Sequence, residues 1–290
     1  MRAALSALEV ARPKTLREAL RLLGRAAEDG LPLTPLAGGT DLFVYLNAGT
    51  LSDTSYMNLW PLRELRGQKK NAKGLRLGAL ETFTKIRHSA EVRRQFPSVA
   101  AAASVVGAWQ IQNRATLGGN LANGSPAGDS LPALLALDAR IELQSSKGSR
   151  EVPFEDFYTG YRKTVRTGDE LITSIFLPTQ PRGTRQHFRK VGTRAAQAIS
   201  KVVIATSLTL VRGKIVRARV ALGSVAATVI RVPDAEDLLL GEKPTLAVAQ
   251  RAAKILRDSI RPIDDIRSTG AHRLQLAGRL LELAVAEAGR

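Results

Sequence analysis

The chain has no cysteine. That excludes disulfides, and it excludes an iron–sulfur cluster or a thiolate-bound zinc held by this chain alone. Histidine is nearly as scarce: His88, His187 and His272 lie far apart in the sequence, which argues against a His-based metal site. Aromatic residues are 4% of the total, so the core must come from Leu, Val, Ile and Ala. No apolar run approaches the roughly 20 residues a membrane-crossing helix needs. Met1–Leu23 contains no apolar segment leading to a cleavage site. The expectation is a soluble, cytoplasmic protein without a membrane span. With 44% hydrophobic and 24% charged residues over 290 positions, it has the composition of a globular chain of two or three domains, or one large one.

Acidic residues are also missing from one long stretch. Between Glu170 and Asp234 there is none, against eleven Lys and Arg, in a chain of net charge +17. Such a surface would suit nucleic acid, an anionic cofactor or an acidic partner. It would equally suit plain solvated charge, because the cations alternate along strand-like segments instead of gathering in a tail. Phe188 is the only aromatic among the central basic residues. The interleaved aromatics of a base-stacking platform are therefore absent, which argues against nucleic acid.

Periodicity outlines the elements. Leu16, Ala19, Leu20, Leu23 and Ala27 share a helical face behind Pro13 and Thr15, and Gly30 ends that helix. "LTPLAG" predicts a short strand, "GTDLFVYLNAG" a loop and brief helix, and "TSYMNLW" and "GLRLGAL" two more strands. "TKIRHSAEVRRQF" and "SVAAAASVVGAW" predict helices. "ARIELQSS" and "SREVPFEDF" predict a hairpin, and "GDELITSIFLP" a strand. From Pro181 onward come further strands, with a turn at Arg212–Gly213, and then two amphipathic helices. Strands followed by helices indicate an α+β fold and not a doubly wound parallel sheet.

Two glycine segments carry the chemistry. "LAGGTD" (Leu36–Asp41) and "TLGGNLAN" (Thr116–Asn123) each follow an apolar stretch with Gly-Gly and a hydrogen-bonding side chain. Glycine allows close ligand approach, and successive N–H groups can converge on an anion. Thr40 and Asn120 would add side-chain donors. Two such loops meeting in space could hold a pyrophosphate from both sides. A tight turn or helix cap explains either loop taken singly, and Asp129 could be the N-cap of the helix that follows it. Neither segment has the glycine spacing of a Rossmann or P-loop site.

Taken together, "AGGTD", "QNRATLGGNLANGSPAGDSLPALLALDA", "FYTGYRKTVRTGDELITSIFLP", "FRKVGTRAAQAISKVVIA" and "PIDDIRSTGAHRLQLAGRLL" resemble the FAD-binding medium subunit of molybdenum hydroxylases, the xanthine dehydrogenase and carbon monoxide dehydrogenase group. The resemblance covers nearly the whole chain. It implies a two-subdomain FAD-binding region of the vanillyl-alcohol-oxidase type over 1–180, divided at about residue 60, and a C-terminal domain of sheet plus helices over 181–290. It places Leu36, Ala37, Gly38, Gly39, Thr40 and Asp41, with Thr116, Gly118, Gly119 and Asn120, at the FAD pyrophosphate. Asn123 and Asp129 fall near the ribityl or adenosine part, Ile172 beside the isoalloxazine ring, and Lys190 near the flavin, with Arg189 as its register alternative. Two positions depart from the family pattern. Gln112 stands where Arg is common, with Arg114 two residues on, and His272 stands where Tyr is usual before Arg273. The implied function is electron transfer: a [2Fe–2S] subunit and a molybdopterin subunit as partners in a three-chain assembly, and NAD, a quinone or oxygen as acceptor. A nucleic-acid-binding protein and a stand-alone FAD oxidoreductase are the alternatives.

Overall fold

The computed structural model describes residues 8–51 and 54–290. The expectation of no secretion signal in Met1–Leu23 therefore falls in part outside the described residues. Strands β1 (Glu9–Ala11), β2 (Thr34–Leu36) and β3 (Ser55–Asn58) form a parallel sheet in the order β1-β3-β2. Helix α1 (Leu16–Glu28) covers it. Thr15 caps that helix by accepting from the Glu18 N–H at 3.2 Å. Ala19, Leu20 and Leu23 pack with Met57, Leu59 and Leu62, each buried Leu contributing about 1.5–3 kcal/mol. After β2 comes the first glycine segment, then the short helix α2 (Leu42–Asn47).

The second sheet is antiparallel, in the order β4 (Gln68–Asn71), β5 (Gly74–Gly78), β10 (Leu171–Pro178), β6 (Arg140–Ser145), β7 (Gly148–Pro153). A small hairpin, β8 (Tyr158–Gly160) with β9 (Lys163–Thr164), precedes β10. Between β5 and β6 run six helices: α3 (Phe83–His88), α4 (Ala90–Gln95), α5 (Pro97–Val105), α6 (Trp109–Arg114), α7 (Leu117–Asn123) and α8 (Leu131–Ala136). The segment expected as one helix over 84–96 breaks at Ser89. Its Oγ accepts from the Val92 N–H and donates to Gln68 Oε1 at 2.6 Å, so it starts a new helix instead of continuing the old one.

Chain beyond residue 180 forms the antiparallel sheet β11 (Thr184–Val191), β12 (Val202–Val211), β13 (Lys214–Gly223), β14 (Ile230–Arg231). Arg212 and Gly213 make its tight turn, both at positive φ. Helices α10 (Leu246–Ser259) and α11 (Gly270–Ala288) appear as expected, and α9 (Pro233–Leu239), which periodicity did not indicate, joins them. Strand β12 is buried on both faces. Val202, Ile204 and Leu208 meet the three helices, while Ala205 and Ala221 meet the core of the preceding region.

The acid-free stretch now has a structural account. Arg217 and Arg219 reach Asp138 at 2.6 and 3.0 Å, Arg231 pairs with Glu155 and Glu236, and Lys190 pairs with Asp129. Several of its cations thus balance carboxylates on the part of the chain before it, tying the two together. Arg185, Arg189, Arg212 and Lys214 remain exposed.

Glu170, just before β10, illustrates how a single paired acid sets acid stability. It accepts from Arg150 Nε at 2.6 Å, from Arg150 Nη2 at 2.8 Å and from the Thr167 N–H at 2.9 Å. The Arg150 hydrogen bond, ahead of that from Thr167, holds its carboxyl down at about 2. A folded pKa below the unfolded value means that the stabilisation is complete above the ordinary carboxylate range and is lost as pH falls toward 2. Glu170→Gln should therefore flatten the fall in stability between about pH 4.5 and 2.5. Urea midpoints across that range check it, and an unchanged slope contradicts it.

Candidate functional site

An open cleft of about 1400 Å³ lies where the three sheet regions meet. That exceeds the roughly 300–1,000 Å³ of ordinary small-molecule pockets and suits a large, extended ligand. Leu36, Ala37, Gly38, Gly39, Thr40 and Asp41 line one side. Thr116, Gly118, Gly119, Asn120, Asn123 and Asp129 line the other, and Ile172 lies on the wall between them. The expected loop residues thus share one surface. Lys190 stands one layer behind, bonded to Asp129.

The loops touch directly. A Cβ on Gly38 would fall 1.9 Å from the Arg114 carbonyl oxygen, so only glycine lets the first segment lie against the end of α6. Asn123 Nδ2 donates to Asp41 Oδ2 at 3.1 Å, closing the same seam by side chains.

Their backbone roles differ. Among the described residues no acceptor takes the N–H groups of Gly38, Gly39, Thr40 and Asp41, and Gly39 has φ +77. Four consecutive donors with a left-handed residue among them make an anion-binding concavity. The second segment is different, because Leu117–Asn123 is itself a helix with the glycine pair in its first turn. Its N–H groups already have partners: Leu117 donates to Glu81 O, Gly118 to Ala79 O, Gly119 to Thr116 Oγ1 and Asn120 to Thr116 O. Asn120 Oδ1 also accepts from Ser130 Oγ at 2.7 Å. The first segment therefore offers backbone donors, and the second offers a shaped wall with the amide of Asn120.

Asp129 is not a helix cap. Ser130 holds that position of α8, with its side chain turned to Asn120 and not to the helix N–H groups. Instead Asp129 Oδ2 accepts from Lys190 Nζ at 2.6 Å, both side chains are 9% exposed, and Lys190 also donates to Val105 O. Asp129 Oδ1 is buried with no partner. Burial pushes this carboxyl up to about 6, against the pull of Lys190. Lys190 rather than Arg189 is the inward residue of β11. Its charge is balanced by Asp129, so the pair brings little net positive charge to the cleft.

The two departures also resolve. Gln112 is buried, donating to Ser104 O and Val106 O and accepting from Arg87. It anchors the turn between α5 and α6. Arg114 stacks on Trp60, its guanidinium carbon 3.8 Å from the ring centroid, and Arg66 does the same at 4.4 Å. His272 is exposed, whereas Arg273 is buried and joins α11 to Asp265, Lys201 O and Ser224 O at the cleft edge.

Sequence reasoning missed Tyr45, Arg162 and the 197–200 and 224–227 segments, all at the cleft. The quoted stretches "GTDLFVYLNAG", "FYTGYRKTVRTGDELITSIFLP" and "FRKVGTRAAQAISKVVIA" contain most of them, but no local pattern marks those residues as ligand-facing. Among the described residues there is no cluster of His, Asp and Glu able to hold a metal, and no helix is long and apolar enough to cross a membrane.

Comparison with known proteins extends the picture. Residues 6–180 match the family described as the FAD binding domain in molybdopterin dehydrogenase, and residues 186–288 match the CO dehydrogenase flavoprotein C-terminal domain. The chain is 32% identical over 280 residues to the xanthine dehydrogenase FAD-binding subunit of Escherichia coli O157:H7, covering 96% of this chain and 94% of the relative. It is 30% identical over 287 residues to the nicotine 6-hydroxylase medium subunit of Paenarthrobacter nicotinovorans, covering 98% of each. Among solved structures, a chain of the Cu,Mo-CO dehydrogenase in its cyanide-inactivated form superposes with a TM-score of 0.91 at 28% identity, covering 97% of both chains.

Proposed function

The chain belongs to the FAD-binding subunits of the molybdenum hydroxylases, and we propose that it takes electrons from a [2Fe–2S] partner subunit and delivers them to an external acceptor. The observation that carries this reading is the Gly38–Asp41 concavity, open toward a cleft whose far wall is the second glycine segment.

The residues fit FAD. The four free N–H groups of Gly38–Asp41 would receive the pyrophosphate, with α7 as the opposing wall. Ile172, Leu171 and Val106 supply apolar surface for a ring system. The partnerless Asp129 Oδ1 and the amide of Asn120 would face hydroxyl or N–H groups of the cofactor. FAD itself supplies the redox chemistry when bound. The protein contributes position, an apolar wall and local charge. No side chain here need act as acid or base. Without cysteine this chain has no thiolates for a cluster, which supports proposing the relatives' multi-chain organisation here too: a molybdopterin-binding large subunit and a [2Fe–2S] small subunit.

Purified from its own cells, the chain should be yellow, release about one FAD per polypeptide on denaturation, and bring down two further subunits identifiable by mass spectrometry. A chain that takes up no FAD from micromolar solution contradicts the assignment. An isolated chain that turns over a small substrate at full rate contradicts the subunit role and favours a stand-alone oxidoreductase.

A further inference from the structure

The proposed phosphate site has a charge problem. The first glycine segment carries one charged residue, Asp41, and the second carries none. A pyrophosphate brings about two negative charges beside that carboxylate, and free N–H groups offer only partial charges in return. A cation must come from elsewhere in the cleft.

Most of the arginines lining it are already engaged. Arg267 and Arg273 pair with Asp265. Arg166 donates to the Thr167 and Glu170 carbonyls, and Arg261 to those of Asp258 and Ile260. Arg162 differs. Among the described residues, no carboxylate lies within ion-pair distance of it. Its Nη2 donates to the Tyr45 hydroxyl at 2.5 Å, and its guanidinium carbon lies 4.9 Å from the Tyr45 ring centroid and 5.6 Å from that of Tyr161. Its charge reaches Asp41: partial withdrawal from water raises that carboxyl, and Arg162 pulls it back down.

Its placement joins both glycine segments. Tyr45 sits on α2, immediately after the first. The Arg162 Cα lies 3.1 Å from where a Cβ of Gly124 would stand, at the end of α7 and so of the second. The backbone of Arg162 is held at φ +55, an unfavourable value for a side-chain-bearing residue. Two tyrosine rings and a left-handed backbone thus fix a guanidinium in the same cleft, within electrostatic reach of Asp41. Among the described residues its side-chain hydrogen-bond partners are the two tyrosine hydroxyls, which leaves N–H donors over, and its planar fork matches phosphate oxygens.

We propose that Arg162 closes over the bridging phosphates of the bound dinucleotide and supplies the positive charge that both glycine segments lack. This rests on the FAD assignment above. Tyr45 and Tyr161 are then positioning residues, acting through the guanidinium they hold.

The test is binding of FAD, ADP and riboflavin to full-length apoprotein, comparing the unaltered chain with Arg162→Gly and Arg162→Lys. Glycine adopts φ +55 without strain, so Arg162→Gly removes the side chain and spares the backbone, and thermal unfolding confirms that the fold is retained. Arg162→Gly should weaken FAD and ADP roughly 10- to 100-fold and leave riboflavin, which has no phosphate, unchanged. Arg162→Lys should fall between, keeping the charge and losing the fork. The salt dependence of FAD binding should become shallower in Arg162→Gly. Unchanged FAD and ADP binding overturns the proposal, as does an equal loss for riboflavin, which would mark a structural role. If the unaltered chain binds neither FAD nor ADP, the FAD assignment itself fails and takes this proposal with it.

Discussion

Gly38→Ala should yield a colourless protein about 2–3 kcal/mol less stable than the parent. The added Cβ would sit 1.9 Å from the Arg114 carbonyl oxygen and 2.6 Å from its carbon. Both are backbone atoms, and they cannot rotate away. The first glycine segment and the end of α6 must separate by more than an ångström. Ala115 and Thr116 follow Arg114 directly, so the displacement opens the seam on which the cleft depends. Gly119→Val provides the contrast. There a Cβ meets only Thr116 Oγ1 at 2.9 Å and Ala37 Cβ at 3.7 Å. Fold stability should largely survive while bound flavin is lost. Urea denaturation and the flavin absorbance of freshly purified protein separate the two outcomes. A Gly38→Ala protein that keeps its flavin at parental affinity would show that the seam does not shape the site.

The same glycines show what could be read in advance and what could not. Their shared pattern suggested that the two segments meet in space, and they do line one cleft. Their division of labour did not follow. Glycine costs about 1 kcal/mol in a helix interior, so Gly118–Gly119 read as loop. Tertiary packing overrides that preference: a Cβ on Gly118 would fall 2.7 Å from Ala79 Cβ, and Thr116 caps the turn. A local pattern cannot report a contact with Ala79, 39 residues earlier and just past the end of β5. Asp129 failed for a related reason. Its cap reading used only its chain neighbours, whereas its partner, Lys190, is 61 residues away on β11. Arg162 left no signal because a positive φ is a property of the folded backbone. The strand-and-helix order after residue 180, by contrast, was legible, because alternation and helical periodicity are local.

Lys190→Met should destabilise the protein by about 3 kcal/mol near pH 7.5, and the deficit should shrink on acidification. Breaking a buried ion pair leaves its partner as an uncompensated charge, which typically costs about 3–5 kcal/mol. Asp129 would be that charge, with one oxygen already lacking a partner. Its folded pKa, about 6 through burial, lies above the unfolded value of roughly 3.9. A raised carboxyl binds its proton more tightly in the folded state. This site therefore favours folding more as pH falls through 6 toward 4, and less as pH rises again. Removing Lys190 takes away the one influence holding that pKa down, so the window moves upward. By pH 5.5 the carboxyl of the variant should be protonated and its burial tolerable. Glu170 and Asp265, both held at about 2, affect parent and variant alike, so the difference between the two isolates Asp129. The lost bond to Val105 O contributes a part that does not vary with pH. The double variant Lys190→Met with Asp129→Asn should recover most of the loss at pH 7.5, since neither charge remains buried. Urea denaturation at pH 7.5 and 5.5 decides it. A deficit equal at both pH values would mean that Lys190 acts through packing, and that the pair is not the electrostatic unit its 2.6 Å contact indicates.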